Sequence, residues 1–130
     1  MTRRIKEETG GATTLGSVGF GLLFALGLTL VCSLVYALVV AAFPLSEKSV
    51  PIIARAVAMA AAFLGGMAAG RRSDRIGWLH GALVGLVYMA LTLFVGRAIT
   101  PDAAPLAITV QRFVVTVVVS TIGGIAGVNL

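Results

Sequence analysis

The chain is poor in the residues that usually carry chemistry. It has one cysteine, Cys32, one histidine, His80, and five carboxylates, Glu7, Glu8, Glu47, Asp74 and Asp102, among 130 residues. A single cysteine makes no intrachain disulfide and no multi-cysteine metal site. All five carboxylates fall outside the long apolar runs, so none is placed inside a membrane to serve a proton-coupled pump. His80 has no Cys, Asp or Glu on its own helix face to complete a triad or a zinc site. GSVGFG at Gly16 has neither a preceding strand nor the spacing of a dinucleotide loop. The expectation is a protein that is not an enzyme and holds no metal and no cofactor. His80 is expected to hydrogen-bond a neighbouring helix.

Charge is scarce as well: 12% of residues are charged, against roughly 25% in a soluble domain. With 58% hydrophobic residues and a mean hydropathy of +1.04, the composition is that of a membrane protein of one domain. The net charge of +5 and pI of about 10.4 would point to nucleic acid or an acidic partner in water. Here the basic residues lie mainly at the ends of apolar runs, where topology and lipid headgroups account for them. Nucleic acid is not an expected partner.

Four runs are long enough to cross the hydrocarbon core, which takes about 20 residues; they cover roughly 15–43, 51–70, 77–96 and 105–128. Residues 1–14 are expected to form a cytoplasmic N-terminal segment and residues 15–130 an all-α, polytopic, four-helix transmembrane domain. The first run exceeds a signal-peptide core of about 7–15 residues and lacks a small-residue cleavage site near Phe43, so it is read as a span. The connections PLSEKSVP and RAITPDAAP each end in a proline suited to the first turn of the next helix. Asp74 is placed to cap the third span at its positive end.

Four spans bring both termini and the second turn to one side, which gathers Arg3, Arg4, Lys6, Arg71, Arg72 and Arg75 there and leaves Lys48 and Arg97 opposite. The positive-inside rule then predicts that the N- and C-termini are cytoplasmic. Arg71, Arg72 and Arg75 act as the topology anchor, with Trp78 as an interfacial belt residue.

Small residues recur at helical spacing. Gly77, Gly81, Gly85, Tyr88, Thr92 and Gly96 form one stripe on the third span; Ala58, Ala62, Gly66 and Gly70 form another on the second, and Thr116, Ser120, Gly124 and Gly127 a third on the fourth. Lipid tails do not drive helices together, so close backbone approach must come from such residues. The stripes are read as packing surfaces within a protomer or between protomers, with a pore lining as the rival. RAVAMAAAFLGGMAAG from Arg55 and RFVVTVVVSTIGGIAG from Arg112 also match loosely, which suggests two related hairpins in parallel repeat.

Arg55, Arg97, Arg112 and Gln111 all fall toward the side opposite the termini. An arginine in mid-bilayer costs about 2.5–3.5 kcal/mol on insertion scales but snorkels near a helix end. Either these side chains snorkel, or they share a pocket for a phosphate or carboxylate supplied by an anionic lipid, a substrate, or Glu47 and Asp102.

The stretch GGMAAGRRSDRIGWLHGALVGLVY, with its paired glycines, basic turn, Gly77, Trp78, Leu79, His80, Gly81, Gly85 and Tyr88, resembles the YrzE-type family of small four-helix bacterial membrane proteins of unknown function. The resemblance implies a place in the bacterial cytoplasmic membrane and, through genes that can lie nearby, a link to protein-translocase accessory factors. Gly70, Asp74, Arg75 and Gly77 also fit the G-x-x-x-D-R-x-G turn of major-facilitator transporters. The basic pair that follows in that motif is missing, so the likeness is one of turn chemistry. Three functions remain open: an accessory or assembly subunit of a membrane complex, favoured by the packing stripes; a small oligomeric channel or transporter; and an anionic-lipid-binding protein. Expected partners are the bilayer, further copies or other membrane proteins, and anionic lipid.

Overall fold

A computed structural model describes residues 2–43, 46–73, 76–100 and 105–130, with side chains from residue 14 onward except that of Glu47. The described residues form four helices, α1 (Thr2–Ala42), α2 (Val50–Arg71), α3 (Gly77–Ile99) and α4 (Leu106–Asn129), with one 3-10 turn, Glu47–Ser49, before α2. There is no strand among them. Helix is forced here even on α4, whose run of Val, Ile and Thr would favour a strand in water. Inside hydrocarbon every N–H and C=O needs a partner within its own segment. Thr116 and Thr121 add hydroxyl bonds of 2.8 and 2.7 Å to the carbonyls of Arg112 and Val117 one turn back.

The ends follow proline and glycine chemistry. α1 stops before Pro44 and α3 before Pro101, because the residue preceding a proline is driven out of the helical region. Pro51 takes the second position of α2, and Pro105 stands just outside α4, at φ −48° and ψ 145°. Asp74, the expected cap of α3, lies outside the described residues, as does Arg75. The residue bounding α3 is Ile76, which makes no side-chain cap. The segment 1–14 is not a separate element, since α1 runs through it from Thr2 without a break.

The chain goes up and down, so one end of the bundle, here the near end, carries both termini and the α2–α3 turn. The far end carries the other two connections. α2 and α3 form a central pair, α4 packs across one side of them and α1 across the other, and α1 does not touch α4. Each helix has a stretch of 22 to 29 residues that is long and apolar enough to cross a membrane. Outside the seams the surface is apolar: Leu23, Leu34, Phe94, Ile108 and Val118 are all exposed. In water such a surface would be an aggregation hazard; in a bilayer it is the solvated face.

Candidate functional site

The interior of the near half is built from backbone rather than from large side chains. The largest fully buried side chains are Tyr88, Val84 and Ser120. Gly66 and Gly70 on α2 lie directly under Ser120 and Gly124 on the parallel α4, so that a methyl on either glycine would fall inside the facing carbonyl oxygen. The same α4 residues face Gly77, Gly81 and Gly85 on α3, where an added Cβ at Gly85 would stand 2.8 Å from the Ser120 Cβ. Ser120, 0% exposed, donates its hydroxyl to the Gly81 carbonyl at 2.7 Å. It is the point where three helices meet. Gly127 closes on Met67 and Arg71 of α2, and Gly123 on Phe63 and Met67. Gly66, Gly70, Gly77, Gly81, Gly85, Ser120, Gly124 and Gly127 thus each lie against another helix of the same chain.

A fourth seam was not among the expected stripes. Ser17, Gly21 and Ala25 on α1 are buried, with Gly21 set against Gly65 and Ala69 of α2. Thr29 continues the row and shares a 2.9 Å hydrogen bond with the hydroxyl of Tyr88 on α3. The signal was present as i, i+4 spacing, diluted by Gly16, Gly19 and Gly27, each with open space where a side chain would be.

Toward the far end α2, α3 and α4 spread apart around a cavity of about 460 Å³. Arg55 of α2, Arg97 of α3 and Arg112 of α4 all line it. Gln111 is exposed and does not, since one residue turns a helix by about 100°. The stripes run out into this space: Ala58, Thr92, Gly96 and Thr116 line the cavity, and Gly96 has nothing within 4 Å of an added methyl. Met89, Thr109 and Thr116 are its buried members, while the arginines are exposed. Thr92 and Thr116 donate their hydroxyls to the carbonyls of Tyr88 and Arg112, both at 2.8 Å. Among the described residues no carboxylate lines the cavity; Asp102 and the Glu47 side chain lie outside them. No group of His, Cys, Asp and Glu that could hold a metal occurs among the described residues either.

At the near end Arg71 and Arg72 are exposed, and the Arg72 guanidinium lies 3.6 Å from the centre of the Phe20 ring. Ser17 donates to the Arg72 carbonyl at 3.1 Å, so the basic turn also ties α1 to α2. Trp78 is 55% exposed beside it. His80 does not reach a neighbouring helix: its Nδ1 donates to the Ile76 carbonyl at 2.7 Å, in the first turn of its own helix. The two hairpins do not pack as copies, because Gly65 meets α1 whereas its counterpart Gly123 meets α2.

Four apolar helices, packed through small residues and carrying an arginine-lined cavity at one end, define an all-α multi-pass membrane protein that resides in a lipid bilayer. The sequence profile of a family described as "Protein of unknown function (DUF3792)" matches residues 14–127, and the chain belongs to that family. The match takes in all four spanning helices and leaves out the basic N-terminal turns. Neither a curated protein nor a solved structure matches the chain.

Proposed function

We propose that the chain is a non-catalytic protein of the bacterial cytoplasmic membrane, close in kind to the YrzE-type proteins, that holds an anionic lipid in its far-end cavity. The observation that carries this reading is that Arg55, Arg97 and Arg112, each from a different helix, line one cavity together. Cations brought to one place at the edge of hydrocarbon repel one another in a low dielectric, and an anion relieves that repulsion. The N-terminal ends of α2 and α4 add their positive dipole ends at the same level. About 460 Å³ falls in the range of ligand sites, roughly 300–1,000 Å³.

The accessory-subunit reading drew on the glycine stripes, and those are occupied inside the fold. An oligomer or a complex with other membrane proteins would have to use the remaining lipid-facing side chains. A channel through one protomer finds no room in the near half, where backbones touch. The test is thermal unfolding of the purified protein with added phosphatidylglycerol or cardiolipin. Wild type and Arg71→Gln are expected to gain stability, and Arg55→Gln and Arg112→Gln to lose most of the gain. An equal gain in wild type and Arg112→Gln would show that the arginines only snorkel, and would end this reading.

A further inference from the structure

We infer that the cavity selects a lipid whose headgroup ends in a phosphate monoester over one whose phosphate is a diester. The inference rests on the lipid-binding reading and adds the chemistry of the headgroup. Three arginines line the site, one from each of three helices, and each carries a guanidinium fork. A guanidinium binds an oxyanion best through two parallel N–H···O bonds to one O–P–O edge. A monoester has three unesterified oxygens and so three such edges, one for each arginine; a diester has two oxygens and one edge. Charge agrees with geometry. A monoester carries about −1.5 to −2 at pH 7, a better match to three cations than the single charge of a diester.

Of the four threonines in the lining, Thr109 reaches the Pro105 carbonyl at 3.4 Å and Thr100 is exposed. The Thr92 and Thr116 hydroxyls already donate to carbonyls of their own helices. Apart from the threonines the lining is apolar, with Ala58, Met59, Leu93 and Met89 continuing inward from the arginines along α2 and α3. A free phosphate would leave that surface bare, whereas the first methylenes of an acyl chain cover it. Methionine, unbranched and polarizable, adapts to a flexible chain.

The experiment titrates the full-length protein in neutral phosphatidylcholine nanodiscs with dioleoyl phosphatidic acid, dioleoyl phosphatidylglycerol or inorganic phosphate, and reads thermal unfolding and the lipid retained in native mass spectrometry. Phosphatidic acid is expected to bind at least about tenfold more tightly than phosphatidylglycerol, equivalent to about 1.4 kcal/mol, and inorganic phosphate to give little shift. Arg112→Lys keeps the charge but replaces the fork by a point charge. It should therefore still prefer anionic to neutral lipid while losing the preference between the two anionic ones. Arg55→Lys makes the same comparison should Arg112→Lys not fold. Equal binding of the two anionic lipids by wild type overturns the monoester inference and leaves lipid binding standing. Binding of neither overturns both. A shift with inorganic phosphate as large as with phosphatidic acid overturns the role given to the acyl chain.

Discussion

Gly81 shows how the interior is held together at the scale of single residues. Its backbone lies against Gly124 and Ser120 of α4, and the largest fully buried side chain on its own helix, Tyr88, stands about two turns further on. Close approach of this kind gains dispersion along both backbones, which is what drives association where the solvent is itself apolar. Gly81→Leu should therefore prevent recovery of folded protein in mild detergent. Leu83→Phe, at a half-buried position off the glycine face, should leave the unfolding temperature nearly unchanged. Equal behaviour of the two variants would show that the seam is not a close-packed interface. The Ser120 hydroxyl is a smaller contribution. Its bond to the Gly81 carbonyl makes Ser120→Ala an expected loss of about 0.6 kcal/mol, the average for interhelical hydrogen bonds in membranes. Reversible unfolding in a detergent–SDS series would measure it.

Among the elements α1 stands apart. Its spanning stretch, Thr14–Ala42, has 29 residues and is about 43 Å long at 1.5 Å per residue, against a hydrocarbon core of about 30 Å. Such a helix must tilt or protrude. Its close contacts lie mainly between Ser17 and Thr29, with Ser17, Gly21 and Ala25 on α2, Thr29 on Tyr88 of α3, and Leu22, Leu26 and Leu28 against the core. From Leu30 on, only Cys32 and Tyr36 are even half-buried among the described residues. Gly21→Leu should release α1 while α2, α3 and α4 stay assembled. The lone thiol of Cys32 reports this directly: its alkylation by N-ethylmaleimide in detergent should quicken several-fold in Gly21→Leu and stay at the wild-type rate in Gly16→Leu, where the added side chain meets open space. An unchanged rate in both would mean that α1 is held elsewhere. The four helices were legible in the sequence because length and apolarity alone decide whether a segment spans. The stripes of α2, α3 and α4 were legible because glycine, alanine and serine repeat there every fourth residue. The α1 seam was hidden by glycines that do not pack, and the His80 partner because the ring turns back to the Ile76 carbonyl of its own chain segment and not across a seam. That Gly96 would line a cavity was equally illegible, since helix divergence depends on how three faces meet.

For the whole molecule the outstanding asymmetry is one of charge. In sequence, six basic residues, Arg3, Arg4, Lys6, Arg71, Arg72 and Arg75, precede the first span or stand between the second and the third. Of the four at the far end, Arg55, Arg97 and Arg112 line the cavity and Lys48 alone stands in a connection outside the spans. The topology rule counts charges in short loops and flanks, so withdrawing the cavity arginines from the count sharpens the bias toward a cytoplasmic near end. In that orientation the cavity would lie in the outer leaflet, and a lipid bound there would be drawn from that leaflet. Single cysteines at Ser46, at the far end, and Ser73, in the near-end turn, in a Cys32→Ser background test both consequences. An impermeant maleimide applied to intact cells should label position 46 and spare position 73 until the membrane is opened. Labelling of position 73 alone would invert the protein, move the arginines to the cytoplasmic leaflet and change which pool of lipid the cavity can reach. It would leave the lipid-binding test itself untouched, because stabilisation in detergent or nanodiscs does not depend on which side of the bilayer the site faces.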